Sequence, residues 1–167
     1  DIVVDTTGGK FGPFAGQAFV GDQTLAMVNR VFFEKVTDAS GRSFYQGAVF
    51  PFRRSLDCGV NRLAFDPTGG LVIGQTDRGW GSIGRKRYGL QRLTYNGQVP
   101  FEILSMQAAP DGFILTFTQD IDTATAQSLE SYTMTSYTYE YHAKYGSDEM
   151  DTQRCKITAA NVTTPRT

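Results

Sequence analysis

The chain has 167 residues, and 16 lysines and arginines against 17 acidic residues leave a net charge of -1. That balance provides no basic field for nucleic acid, and no apolar run reaches the ~18 residues of a membrane-spanning helix. Composition is 40% hydrophobic and 20% charged, ordinary for a folded domain and unlike a disordered or collagenous chain.

The opening, DIVVDTTGGKFGPF, lacks the charged start and apolar centre of a signal peptide and reads like the interior of a longer protein. Phe14–Asp22 predicts a strand that ends in a Gly-Asp turn. A second strand is expected over Ala26–Val36. Its alternation puts Val28, Arg30, Phe32 and Glu34 on one side and Asn29, Val31, Phe33 and Lys35 on the other. Neither side is purely apolar, which suits a strand covered on both faces. Asp38–Arg42 is a turn, and Ser43–Phe50 returns as a third strand.

Residues 59–93 carry the clearest pattern. Asn61–Phe65 and Leu71–Thr76 flank Asp66-Pro67-Thr68-Gly69-Gly70, where proline pre-sets one turn dihedral and glycine accepts positive φ, a hairpin signal. A Gly-rich loop follows, then a strand from Leu90 to Tyr95. Within the loop, Gly79-Trp80-Gly81-Ser82-Ile83-Gly84 spells the dinucleotide fingerprint GxGxxG. That motif works only where a helix starts inside it, and here it runs into Arg85-Lys86-Arg87 and a strand. An inter-strand loop is therefore expected, with Trp80 either packed over the sheet or displayed as a binding surface. The basic cluster Arg85–Arg87 reads as a solvated turn or as an anion or partner contact.

Two three-strand meanders spaced about 45 residues apart fit the blade repeat of a β-propeller. Residues 1–100 are accordingly expected to form about two blades. Four blades is about the minimum for closure, so these sheets need material beyond themselves.

Past Val99-Pro100 the character changes. Phe101–Met106 and Gly112–Thr118 form a hairpin through Asp111-Gly112, and Asp122–Glu130 predicts a helical turn capped by Asp122 or Thr123. A long strand is expected over Ser131–Tyr141. Residues 101–167 thus read as the first strands of an immunoglobulin-like or fibronectin-type sandwich, short of its roughly seven strands. The expected fold class is all-β: partial propeller blades followed by an incomplete sandwich.

Tyr137, Tyr139 and Tyr141 would share one strand face, with Thr138, Glu140 and His142 opposite. The tyrosine row is either a surface for a glycan or partner chain or the rim of a core. His142 is the sole histidine. Asp148, Glu149 and Asp151 make an oxygen-rich loop that can be a weak calcium site, without the spacing of an EF-hand. Cys58 and Cys155 show no zinc or haem-attachment spacing, and two unpaired thiols are expected rather than a disulfide. Asn161-Val162-Thr163 spells a glycosylation sequon.

The segments GVNRLAFDPTGG, QTDRGWGS, GLQRL and SYTYEYHAKYGSDEMDT resemble a family of large secreted bacterial proteins known as membrane-bound dehydrogenases or haem-binding propeller proteins. Those combine a glucose/sorbosone-dehydrogenase-like propeller, an immunoglobulin-like segment and often a c-type cytochrome domain. The resemblance covers roughly residues 11–160 and implies an extracytoplasmic, periplasmic or secreted, location in an electron-transfer setting.

The related quinoprotein sugar dehydrogenases have a His-x-Gly-Gly-Arg-Leu pattern before a similar hairpin, its histidine the general base and its arginine a holder of pyrroloquinoline quinone. Arg62 keeps the arginine position, while the histidine position falls on Cys58. A lone thiol rarely serves as that base. The leading expectation is thus non-catalytic, with no cofactor in this chain. It is a binding or assembly piece of a secreted multidomain protein, its partners the rest of that protein or other extracytoplasmic subunits. Its rivals are a quinone-dependent sugar or alcohol dehydrogenase using Arg62 and the Asp77-Arg78 loop, and a carbohydrate-binding module.

Overall fold

The computed structural model describes all residues, 1–167, and the protein is all-β with several antiparallel sheets, none of them closed. It divides into two compact units, Asp1–Gln119 and Asp120–Thr167. The division expected at residues 100/101 thus falls later in the structure, and the hairpin after Pro100 belongs with the first unit.

In the first unit, β1 (Ile2–Val4), β2 (Ala18–Asp22), β3 (Met27–Thr37) and β4 (Ser43–Arg53) form a four-stranded meander in sequence order. A second meander holds β5 (Val60–Phe65), β6 (Leu71–Thr76) and β7 (Tyr88–Leu93). The Asp66–Gly70 turn closes β5 onto β6 as expected: the Asp66 Oδ1 accepts the backbone N–H groups of Thr68 and Gly70. β8 (Ile103–Ala109) and β9 (Gly112–Phe117) form a separate hairpin.

Register explains the core. Val3, Phe19, Arg30 and Phe50 stand opposite one another across all four strands of the first sheet, so they share a face. That face meets Val60, Leu63, Leu71 and Ile73 of the second sheet, with Phe11 and Phe14 from the β1–β2 loop between them. Phe11, Phe19, Phe52 and Phe65 meet in edge-on and tilted contacts at 4.9–5.9 Å between ring centres. Each such pair adds roughly 0.5–1.5 kcal/mol beyond the area it buries.

Arg30 is the largest fully buried side chain, 1% exposed. Its guanidinium lies 4.3 Å from the Phe14 ring centre and 4.4 Å from that of Phe50. It donates to the backbone carbonyls of Ile103 (2.5 Å) and Leu104 (3.0 Å) and to the Gln17 Oε1 (2.5 Å), while Gln17 itself donates to the Leu104 carbonyl. Burial lowers the Arg30 pKa to about 10, against a smaller opposing pull from Glu102. Farther along the same face, the Glu34 carboxylate accepts from Gln46 and from the Ala108 backbone. These polar ties hold β8 on the first sheet and explain why residues 101–119 pack with the first unit.

In the second unit, α1 (Thr123–Gln127) is capped as expected, the Asp122 Oδ1 accepting the Thr125 N–H at 2.8 Å. A 3-10 turn, Leu129–Ser131, follows. The long strand expected over Ser131–Tyr141 is shorter: β10 spans Thr135–Thr138 and pairs with β11 (Met150–Arg154) across a register shift. No residue from 120 to 167 is buried.

Arg30→Met should cost about 2–4 kcal/mol in urea unfolding, the range for losing several charge-assisted hydrogen bonds, and should raise hydrogen exchange in β8; unchanged stability would contradict the anchoring role. Asp66 is held well below the usual carboxylate range, chiefly by Arg92 and then by the Thr68 hydroxyl. A depressed folded-state pKa contributes stability that is present in full above the ordinary carboxylate pKa, about 4, declines below it, and is gone only once pH has fallen through the folded-state value. Asp66→Asn should therefore destabilise more at about pH 6 than at about pH 3. An equal loss at both pH values would refute this linkage.

Candidate functional site

Among the residues singled out from the sequence, the Gly-rich loop is the best defined. It joins β6 to β7 and holds no helix, in keeping with an inter-strand loop. Its ends are zipped by the Asp77 N–H to the Arg87 carbonyl, 3.0 Å. Its middle is tied to the β2–β3 turn: the Trp80 indole N–H donates to the Thr24 hydroxyl (3.1 Å), Gln23 donates to the Trp80 carbonyl, and the Ile83 N–H donates to the Thr24 carbonyl. Trp80 is thus anchored at its polar edge while most of the ring stays in solvent.

Of the three glycines of the motif, Gly84 alone serves packing. A Cβ on Gly84 would lie 2.3 Å from the Cys58 Cα, whereas one on Gly81 meets nothing within 4 Å. Cys58 beneath it is fully buried; burial pushes its thiol pKa up, with Asp77 and then Asp57 adding to the effect. The Gln75 Oε1 accepts the Cys58 backbone N–H, and the Gln75 amide donates to Gln91 at 2.6 Å. This polar bridge under the loop has no sequence signature, because glutamines in strands ordinarily read as solvated. Cys58 and Cys155 are both free thiols.

Arg62 stands on the far face of the second sheet from the core, donating to the Asn61 carbonyl at 2.8 Å. The exposed Arg62 and the buried Cys58 therefore do not form a base-plus-cation pair. Asp77 and Arg78 sit at the start of the Gly-rich loop, the Arg78 N–H donating to the Thr76 hydroxyl.

The tyrosines of the second unit are exposed, Tyr137 in β10 and Tyr139, Tyr141 and Tyr145 beyond its end. They therefore do not form one strand row. His142 Nδ1 accepts the Lys144 N–H in the same connection. Asp148, Glu149 and Asp151 are exposed, and the Thr138 hydroxyl donates to Asp151. No group of three or more His, Cys, Asp or Glu side chains is placed to hold a metal ion. Two concavities measure about 220 Å³, beside Tyr132 and Cys155, and about 110 Å³, beside Glu34 and Phe113. Both fall below the roughly 300–1,000 Å³ of small-molecule sites.

The feature that sequence reading missed is a whole sheet face. Register places Val4, Ala18, Val31 and Val49 in one row across the first sheet, and Ile2, Val20, Phe33 and Tyr45 fall on the same side. This is the side away from the core, yet Ile2, Val4, Phe33, Tyr45 and Val49 are all exposed, Phe33 by 57% and Val49 by 64%. A solvated sheet face ordinarily alternates to polar residues; here apolar side chains occur on all four strands, with Asn29 and Lys35 among them on β3.

Comparison with protein-family models, with curated proteins and with solved structures finds no match.

Gly84→Ala should destabilise the protein by about 1–3 kcal/mol, the cost of overpacking, and Gly81→Ala by less than about 0.5 kcal/mol. Equal effects would contradict the packing role of the motif. In the native protein an aromatic disulfide reagent should label Cys155 and spare Cys58; rapid labelling of both would show that the loop does not seal the thiol.

Proposed function

We propose that this chain is a non-catalytic assembly module that docks the uncovered face of its first sheet onto the apolar face of another β-sheet. The carrying observation is that Ile2, Val4, Phe33, Tyr45 and Val49 are exposed on one face, around the buried Ala18 and Val31 and interrupted only by Asn29 and Lys35 among the larger side chains of β3. Two twisted sheets interdigitate side chains across about 10 Å, and a continuous apolar face is the surface such packing requires.

In this reading the meanders of residues 1–100 are propeller blades, whose sheets pack on both faces. The second unit after them is the start of an immunoglobulin-like sandwich. The partner sheet belongs to the same extracytoplasmic assembly, in line with the resemblance to secreted bacterial propeller proteins. Support for a non-catalytic role comes from the exposure of Arg62 against the burial of Cys58 and from the small volume of the two concavities.

In the purified chain a second copy is the only available sheet. Sedimentation velocity should therefore show concentration-dependent association, and an apolar dye such as ANS should fluoresce on the protein. Phe33→Lys/Tyr45→Lys/Val49→Lys should abolish both without lowering the unfolding midpoint, because these side chains leave the core untouched. A wild-type chain that stays monomeric and dark with the dye would overturn the reading. So would aldose-dependent dye reduction after reconstitution with pyrroloquinoline quinone and Ca²⁺, if Arg62→Ala abolished it.

A further inference from the structure

The second sheet is one strand shorter than the first, and its open side is β7. Protein edges are normally blunted by proline, bulges, brevity or a covering element. β1 has three residues, β4 contains Pro51, and the β8–β9 and β10–β11 pairings carry register shifts. β7 has no proline, bulge or covering strand, and its charged residues are Arg92, tied to Asp66, and the basic residues just before it. Its six residues pair with β6 in unbroken register, from Leu71 opposite Leu93 to Thr76 opposite Tyr88.

The direction of its backbone groups follows from one hydrogen bond. Asp77 stands opposite Arg87 in continuation of that register, and its N–H donates to the Arg87 carbonyl. In an antiparallel ladder, hydrogen-bonded and non-bonded pairs alternate. Gly89, Gln91 and Leu93 therefore turn their N–H and C=O groups toward β6. Tyr88, Leu90 and Arg92 turn theirs outward, to the open edge. The Thr76 N–H donates the other way, to the Gly59 carbonyl, as the same alternation requires. Tyr88 and Leu90 are also 79% and 76% exposed, so one side of the edge is apolar.

Charge selects the occupant. Between Asp77 and Arg87, four basic residues stand against one acidic residue, in a chain whose net charge is -1. Lys86 is paired with Asp57 at 3.0 Å, but none of the four ion pairs of the structure contains Arg78, Arg85 or Arg87. The loop that carries them is fastened to the β2–β3 turn, so the cluster is held at the N-terminal end of the edge before any partner arrives.

We propose that β7 is a β-augmentation site that receives an extended acidic segment of a partner protein as a fourth strand. Main-chain hydrogen bonds to Tyr88, Leu90 and Arg92 supply the pairing, and alternate apolar residues of the segment cover Tyr88 and Leu90. Carboxylates at one end of the segment meet Arg85 and Arg87. A nucleic-acid strand would match the charge but leave the outward N–H and C=O ladder without complementary partners. This surface is separate from the apolar face of the first sheet, so either proposal can fail alone.

The probe is a synthetic acetylated peptide, Glu-Val-Glu-Val-Thr-Val amide, with a control in which lysine replaces glutamate. Fluorescence anisotropy on the full chain should show saturable binding of the acidic peptide, weakened as salt rises from about 0.05 M to about 0.5 M, and none of the control. Saturating peptide should slow hydrogen exchange at the Tyr88, Leu90 and Arg92 amides and leave Gly89 and Gln91 unchanged. Leu90→Pro removes an outward N–H without breaking the β6 ladder, and should weaken binding roughly tenfold or more. Arg85→Glu/Arg87→Glu, a second variant that leaves the strand intact, should weaken it by about the same factor. Absent wild-type binding, unchanged exchange at the three amides, or indifference to the arginine reversal would each overturn the proposal. Binding of a polyphosphate with equal effect on those amides would also overturn it, since that contact needs no strand.

Discussion

The first unit is organised around a positive charge taken out of water. Arg30 comes from the middle of β3, inside the phenylalanine-rich interior, where an unsatisfied guanidinium would be ruinous. Two ring faces and three carbonyl-type oxygens surround it instead. Two of those oxygens belong to the backbone of β8, a strand more than seventy residues away in sequence. The charge can be buried only if that strand is in place, so one side chain makes the β8–β9 hairpin obligatory. Non-directional apolar burial could not fix its position so narrowly.

With that face of the first sheet filled, the rest of the architecture is constrained. The core face must meet the second sheet and β8, which leaves the opposite face to solvent or to a partner. Had that face carried serine, lysine or glutamate at the positions of Phe33 and Val49, a solvated sheet would have been the plain account. Its apolar content instead links packing to function: the same meander that builds the core is written for covering on both sides. The Gly-rich loop plays a supporting part. Gly84 lets the chain pass close over Cys58, and the loop's backbone ties to Thr24 and Gln23 hold the arginines at one end of β7.

Much of the strand order was legible beforehand because hairpins announce themselves locally. Asp66–Gly70, Asp38–Arg42 and Asp111-Gly112 are short, chemically specific turns between alternating runs, and all three close hairpins. The absence of a helix after GxGxxG was legible for the same reason, as was the Asp122 cap. β1 and β11 were not, since strands of three and five residues carry too little periodicity to stand out. The placement of residues 101–119 was missed because it depends on Arg30, which reads as an ordinary polar position on an alternating strand. The tyrosine row failed for a related reason: alternation from Tyr137 to Tyr141 continues past the point where β10 loses its pairing. The open faces and edges became visible only when register set distant residues side by side.

Carbene footprinting with residue-level mass spectrometry tests the central claim most directly, because it reads which side of the first sheet is covered. In dilute chain, Phe33, Tyr45 and Val49 should label strongly while Phe19 stays dark, and on association the three should darken together. Strong protection of all three in the dilute monomer, or their continued labelling in the associated state, would contradict the account.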